Sequence, residues 1–414
     1  MLKEEIMKEE QKNILKQKGA EEKKAILITI VVVLVIALLI LAAVLFLPNE
    51  GEDTPDKFST DQTDNTLSNV AYNSEDDVLG DISSVTDESG SDISKDNSNS
   101  GSEELVHRWV QNNLGITYVY GDTGLEQFNA TATTIERYAD AINELAATLP
   151  SSIKVYSMLA PTNVEFVEIP RAIYSSDDFF NSSQKSTIIG INEKLSSRIT
   201  SVNIYDTLAA HTDEYLYFRT DINWTSLAAY YAYCDFAAAA GFTPINLSDY
   251  GKDSYTNYLG RFYWATKDET PALSANPDTI DYYFTDKNDA CKLTIRHKGV
   301  TYSNYSIVGN SVSSTANGYN VFLGREAEYY KITTGASGGK KLVIVSDTSA
   351  AAFVPYLVCH YSEIHYINPN YCDYKLSEFA IQNNADEVLF LSYATSANRK
   401  AYTTVLSSLK GISE

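Results

Sequence analysis

From about residue 103 onward, short apolar runs bounded by turn formers alternate with longer stretches whose apolar residues recur every three or four positions. The first pattern suits buried strands and the second an amphipathic helix. Residues 105–110 and 116–120 predict an opening element. Residues 134–149 predict a helix with Ile135, Tyr138, Ala141, Ile142 and Leu145 turned inward; 153–159 read as a buried strand, 184–199 as a helix and 202–206 as a short strand. Residues 214–241 predict a strand feeding a helix. Tyr215, Tyr217 and Phe218 suit a pleated surface, Thr225 or Ser226 is a fair N-cap, and an Ala-rich run follows until Gly241 stops it. Asp221, Asn223 and Trp224 fall between the two, where open α/β folds place their ligands.

Residues 246–312 are less regular and rich in Tyr, Asp and Asn, with 307–312 open between strand and loop. The alternation then resumes, with strands at 320–324, 341–347, 363–368 and 387–391 and helices ending at Leu357, Gln382 and Leu409. Strands separated by helices require crossover connections, so the expected fold class is α/β, a doubly wound, mainly parallel sheet.

The amino-terminal quarter differs. Residues 1–24 mix Lys and Glu and end in Lys23-Lys24, and the uncharged apolar run 25–47 follows. At ~1.5 Å rise per residue such a run exceeds the ~30 Å hydrocarbon core of a bilayer. It is too long for the apolar part of a signal peptide and no small-x-small cleavage site precedes Pro48, so a retained transmembrane helix is expected. The Lys pair predicts a cytoplasmic tail at 1–24, a single-pass anchor in the cell membrane and an extracellular carboxyl-terminal part. Residues 48–101 are Asp, Ser, Asn, Thr and Gly with few aromatics, too polar to offset their ordering entropy, and predict a disordered acidic linker before a domain at 102–414.

The net charge of −22 would repel phosphate backbones, which argues against a nucleic-acid partner. The 30 Tyr residues fit either carbohydrate stacking or ordinary amphipathic packing. An extracellular location permits disulfides, and Cys359 with Cys372 is the pair to test, with the pairing left open. The spacing of Cys359, His360, His365 and Cys372 matches no zinc pattern, and no metal or other cofactor is expected.

Phe218-Arg-Thr-Asp-Ile-Asn-Trp-Thr225 resembles the Thr-Asp-His-His-Trp-Thr signature of the DHHW proteins. These are bacterial envelope proteins similar to the SGNH-hydrolase-like proteins that O-acetylate exopolysaccharides such as alginate. Met158-Leu-Ala-Pro-Thr162, Pro277-Asp-Thr-Ile-Asp281, Val321-Phe-Leu-Gly324, Asp347 to Tyr356 and His360-Tyr-Ser-Glu-Ile-His365 follow in the family's order, so the resemblance covers about residues 150–400. It implies an SGNH-hydrolase-like three-layer domain acting in O-acylation of a cell-surface polysaccharide, with a membrane-bound O-acyltransferase as implied partner.

In that wider group the signature's Asp and second His act with a Ser from a later Asp-Ser motif. Asp221 matches the Asp, Asn223 stands at the His position, and Val345-Ser-Asp-Thr-Ser-Ala350 puts Thr348 at the nucleophile position, between Asp347 and Ser349. Gly324-Arg-Glu-Ala327 puts Arg325 where the family carries an oxyanion-binding Asn; Arg325 could donate to an anion or pair with Glu326 or Glu328. Acyl transfer needs a nucleophile, a base and donors to the oxyanion. An amide does not titrate near neutral pH as imidazole does. The expectation is therefore a catalytically degenerate triad, Asp221, Asn223 and Thr348, in a cleft that binds glycan or a partner through Trp224, Arg325, Asp347 and Ser349. Asp221, with no imidazole to orient, is expected to cap the helix starting near Thr225. The alternative is an active O-acetyltransferase or acetylesterase using Thr348 or Ser349.

Overall fold

The computed structural model describes residues 107–112, 114–169, 181–336 and 338–411. The cytoplasmic tail, apolar span and linker expected at 1–101 lie outside them; among the described residues no helix is long and apolar enough to cross a membrane. The described part opens with a three-stranded antiparallel sheet, β1 (His107–Asn112), β2 (Gly115–Tyr120) and β3 (Thr123–Glu126). Then come α1 (Ala132–Thr148), β4 (Lys154–Ala160), α2 (Gln184–Lys194), β5 (Ile199–Val202), α3 (Ser226–Ala240), β6 (Gly251–Tyr258), α4 (Arg261–Thr266), β7 (Asp278–Phe284), β8 (Lys292–His297) and β9 (Val300–Tyr302). The chain ends with β10 (Tyr329–Thr333), β11 (Lys340–Ser346), α5 (Ala350–Leu357), β12 (Tyr361–Ile367), α6 (Leu376–Gln382), β13 (Glu387–Tyr393) and α7 (Lys400–Ser408).

Eight strands form the central sheet in the order β5-β4-β13-β11-β12-β10-β8-β9. The first five are parallel; β10, β8 and β9 add an antiparallel edge, so the sheet is mixed. Its apolar runs divide by residue parity, because successive side chains leave opposite faces of a strand. Val155, Val343, Val345, Val388 and Phe390 pack with α1, α2, α6 and α7 on one face. Tyr156, Met158, Leu342, Ile344, Leu389 and Leu391 pack with α3 and α5 on the other. Helices on both faces of the sheet make three layers, as expected.

Several expected elements shift. Helix α2 stops at Lys194, where Asn143 accepts from the Ser196 backbone at 2.7 Å, and the strand that follows is 199–202 rather than 202–206. The chain leaves the sheet at Asn203, whose side chain accepts from the Tyr205 backbone at 3.1 Å to begin a short helix, Tyr205–Ala209. The run at 320–324 is not a strand. A 3-10 turn, Thr315–Val321, runs into Leu323 and Gly324, whose φ of 57° and 82° no ladder accommodates. The irregular 246–312 stretch contributes β8 and β9 to the main sheet, and β6 pairs β7 apart from it. Strand β10, not expected from the sequence, joins β8 to β12.

Candidate functional site

Two chain segments meet at the carboxyl ends of the parallel strands: the turn Asp347-Thr348-Ser349 between β11 and α5, and the loop 215–225 before α3. The sequence predicts a strand at 215–218, in the first part of that loop. It is closed on itself instead: the Thr225 backbone N–H donates to the Leu216 carbonyl at 2.9 Å, the Thr225 hydroxyl to the Tyr215 carbonyl at 2.9 Å, and Tyr217 bridges Trp224. Leu216 and Phe218 do alternate into the core, but Thr220, Asp221 and Asn223 are buried too, and the Thr220 and Asn223 backbone N–H groups donate to the carboxylates of Asp278 and Asp221 rather than to a neighbouring strand.

Asp278 at the start of β7 anchors the loop. Completely buried, it accepts from the Thr220 backbone at 2.9 Å, the Thr220 hydroxyl at 2.5 Å, the Arg219 backbone at 3.1 Å and the Tyr215 hydroxyl. The Arg219 guanidinium approaches the same carboxylate at 3.4 Å.

So held, the loop aligns three side chains. Asp221 Oδ1 accepts from the Asn223 backbone N–H at 2.8 Å and from its side-chain amide at 2.6 Å. A carboxylate only accepts, so Asn223 must turn its nitrogen toward Asp221 and its oxygen away. That oxygen accepts from the Thr348 hydroxyl at 2.8 Å and from the Tyr393 hydroxyl at 3.4 Å. Asp221, Asn223 and Thr348 therefore form a continuous hydrogen-bonded relay with an amide where a base would stand. Asp221 has a residue to orient after all. The helix it caps is also not the expected one: its Oδ2 accepts from the Arg261 backbone at 2.7 Å at the start of α4, while Thr225 caps α3. Gly260 makes this approach possible, since a Cβ there would lie 2.3 Å from Asp221.

Three of the expected ligand-facing residues, Trp224, Asp347 and Ser349, are turned inward, and the fourth, Arg325, stands apart from the relay. Trp224 is completely buried, donates from Nε1 to the Ser349 carbonyl at 3.1 Å and packs edge-on against Tyr393 at 5.7 Å, so it offers no face to a glycan. Asp347 turns inward, accepting from the Ser349 backbone at 2.9 Å, the Ser349 hydroxyl at 2.6 Å and the Tyr393 backbone at 3.0 Å. Ser349 is thereby buried and committed, which excludes it from the nucleophile's place; of the three turn residues only Thr348 reaches partly to solvent. The reason is register: after a strand, successive side chains leave opposite sides. Arg325 makes no hydrogen bond to the relay and pairs with neither neighbouring acid; Glu326 binds Arg261 at 3.0 Å and Glu328 binds Arg296 at 3.1 Å.

Residues not foreseen complete the site. Tyr393, at the end of β13, accepts from the Trp224 backbone at 3.0 Å, and the Tyr319 hydroxyl donates to the Trp224 carbonyl at 3.3 Å. Burial pushes both hydroxyls well above the usual phenol range, so they remain protonated. Glu326, with Asp221 adding to it, keeps the Arg261 guanidinium charged far above its ordinary range. No spacing rule marks these residues, since they converge from separate elements. Cys359 and Cys372, the pair to test for a disulfide, are not joined and all four cysteines are free: Cys359 faces Thr285 beside the α3 core, whereas Cys372 packs into the core on the other face of the sheet.

A three-layer α/β protein with an Asp-x-Asn-Trp loop hydrogen-bonded to an Asp-Thr turn is the class that fold and site define. The chain belongs to the DHHW family, whose model, described as DHHW protein, matches residues 55–367. Among solved structures it is similar to a DHHW family protein from Eubacterium siraeum, 25% identical, with 72% of this chain and 97% of that one covered and a TM-score of 0.62. It is similar also to Bacillus cereus PatB1, solved with a sulfonyl adduct, at 16% identity, 69% and 96% coverage and a TM-score of 0.57. A third similar structure is the O-acetyltransferase domain of Pseudomonas putida AlgJ, at 10% identity, 70% and 95% coverage and a TM-score of 0.39. The search of curated proteins found no match.

Proposed function

We propose that this DHHW-family protein is an extracellular domain, held to the cell membrane by residues 25–47, that acts in O-acylation of a cell-envelope polysaccharide by holding glycan or a partner rather than by turning ester over. One observation carries the reading: the Thr348 hydroxyl donates at 2.8 Å to an Asn223 oxygen that accepts a hydrogen bond but cannot take the proton. A positioned general base contributes about 10²–10⁴-fold to such a reaction. Here its place is filled by a group of similar reach and hydrogen-bond pattern without the titration. Family membership supports the polysaccharide and O-acylation setting, and a membrane-bound O-acyltransferase is the class of partner that would supply the acyl group.

The second reading, an active acyl transferase or esterase, is favoured by the partly exposed Thr348 hydroxyl, already aligned on the relay. Hydrolysis of a simple acetyl ester separates the two. The full-length protein is expected to be inactive and the Asn223→His plus Thr348→Ser double variant to gain turnover by roughly the factor a base supplies. Turnover by the natural chain that disappears in Thr348→Val, together with fluorophosphonate labelling at Thr348, would establish the second reading instead.

A further inference from the structure

Resting on the reading that this site faces a polysaccharide, we infer that Arg325 is an anion receptor and that the polymer held is an acidic one, bound through its carboxylate or phosphodiester groups. The arginines of this protein are not alike in their partners. Every other arginine whose side chain is described spends its guanidinium on acceptors of this chain: Arg137 and Arg198 on backbone carbonyls, Arg219 on Asp278, Arg261 on Glu326, Arg296 on Glu328 and Arg399 on Glu126. No hydrogen bond or ion pair from the described residues reaches the guanidinium of Arg325, and its Nε is buried without an acceptor. In a chain of net charge −22 an uncompensated cation is unexpected. Its two acidic neighbours, Glu326 and Glu328, are both turned away to other arginines.

The side chain is not left loose. Its guanidinium lies 4.6 Å over the Tyr302 ring, which holds the planar fork in one orientation without using any of its donors. The backbone is fixed as well. Gly324 takes a φ of 82° and packs so close under Tyr305 that a Cβ would come within 2.2 Å of that ring; the Tyr330 hydroxyl donates to the Arg325 carbonyl at 2.7 Å. A fixed guanidinium with free donors is matched to the paired oxygens of a carboxylate or phosphate. The turn that carries it is tied to both halves of the relay. Tyr330 stacks on Tyr366 at 4.6 Å, and the Tyr366 hydroxyl donates to the Asp347 carbonyl; on the other side Glu326 holds Arg261, whose backbone bonds Asp221.

The test is isothermal titration of the full-length protein with polygalacturonate, poly(glycerol phosphate) and neutral dextran, comparing the natural chain with Arg325→Gln, Arg325→Lys and Tyr302→Leu after thermal melts show each variant folded. The natural chain is expected to prefer one of the two charged polymers, polygalacturonate identifying a carboxylate and poly(glycerol phosphate) a phosphodiester. Arg325→Gln should weaken that binding about tenfold or more while leaving dextran unaffected. Arg325→Lys, which keeps charge but not the fork, and Tyr302→Leu, which frees it, should fall between. Equal binding of the charged polymers by the natural chain and Arg325→Gln would overturn the role of Arg325 and leave the polysaccharide reading standing, as would a preference for dextran. Binding of none of the three would overturn both.

Discussion

Replacing Asp278 tests how the site is held. This carboxylate lies outside the relay, yet four donors converge on it: the Thr220 backbone at 2.9 Å, the Thr220 hydroxyl at 2.5 Å, the Arg219 backbone at 3.1 Å and the Tyr215 hydroxyl. In Asp278→Ala the outer two have alternatives, because Tyr215 is 40% exposed and the Arg219 backbone N–H also lies 3.3 Å from the Tyr215 hydroxyl. Thr220 cannot, being fully buried. Its hydroxyl has the Tyr258 carbonyl at 3.5 Å as a poor substitute, and its N–H has no other acceptor among the described residues. An orphaned buried donor costs about 1–3 kcal/mol, and hydrogen bonds to a charged group are worth about 1.5–3 kcal/mol each. A loss of about 3–5 kcal/mol is expected, a large share of the ~5–15 kcal/mol that stabilises a typical domain. Asp278→Asn keeps one acceptor oxygen but places a donor among donors, and should lose about half as much. Urea unfolding of the full-length protein followed by tryptophan fluorescence measures both. An Asp278→Ala midpoint within 1 kcal/mol of the natural chain would show that the loop does not depend on this anchor, and the geometric argument for the relay would go with it.

Other consequences can be measured as directly. Gly260→Ala should displace Asp221, since the added Cβ would stand 2.3 Å from it; about 1–3 kcal/mol of destabilisation is expected in urea, and the variant should abolish any ester hydrolysis gained by Asn223→His plus Thr348→Ser. Trp224→Phe keeps most of the packing but orphans the buried Ser349 carbonyl, for about 1–3 kcal/mol, so an unchanged thermal midpoint would contradict the placement of that ring. Burial would raise the pKa of Glu363, but hydrogen bonds from Lys331 and His365 outweigh it and hold the group down to about 2, against an ordinary 4.5. Its stabilisation is therefore present above pH 4.5 and is lost as pH falls toward 2, and Glu363→Gln should flatten the acid-unfolding curve across that window. Burial pushes the thiols of Cys291 and Cys372 up to about 12; with all four cysteines free, a disulfide reagent should react slowly with the native protein and titrate four thiols once it is unfolded.

Local pattern alone determined much of this protein. Strands β4, β11 and β13 were readable because a strand buried on both faces shows as a continuous apolar run, and α3 because Thr225 and Gly241 mark its ends through backbone needs of their own. The motif carrying Asp221, Asn223 and Thr348 was likewise legible, because each position follows from its neighbours in the chain. What the sequence could not decide was direction and company. The aromatic spacing at 215–218 fits a strand, but among the described residues it makes only the isolated bridge to Trp224, and Asp278, some sixty positions later, closes the segment into a loop instead. Trp224 reads as a ligand platform until α3, β13 and the Ser349 carbonyl enclose it. That Asp221 orients Asn223, that Ser349 faces inward and that Arg325 finds no acceptor among the described residues are facts of tertiary structure, because the partners that decide a buried side chain's hydrogen bonds come from distant parts of the chain.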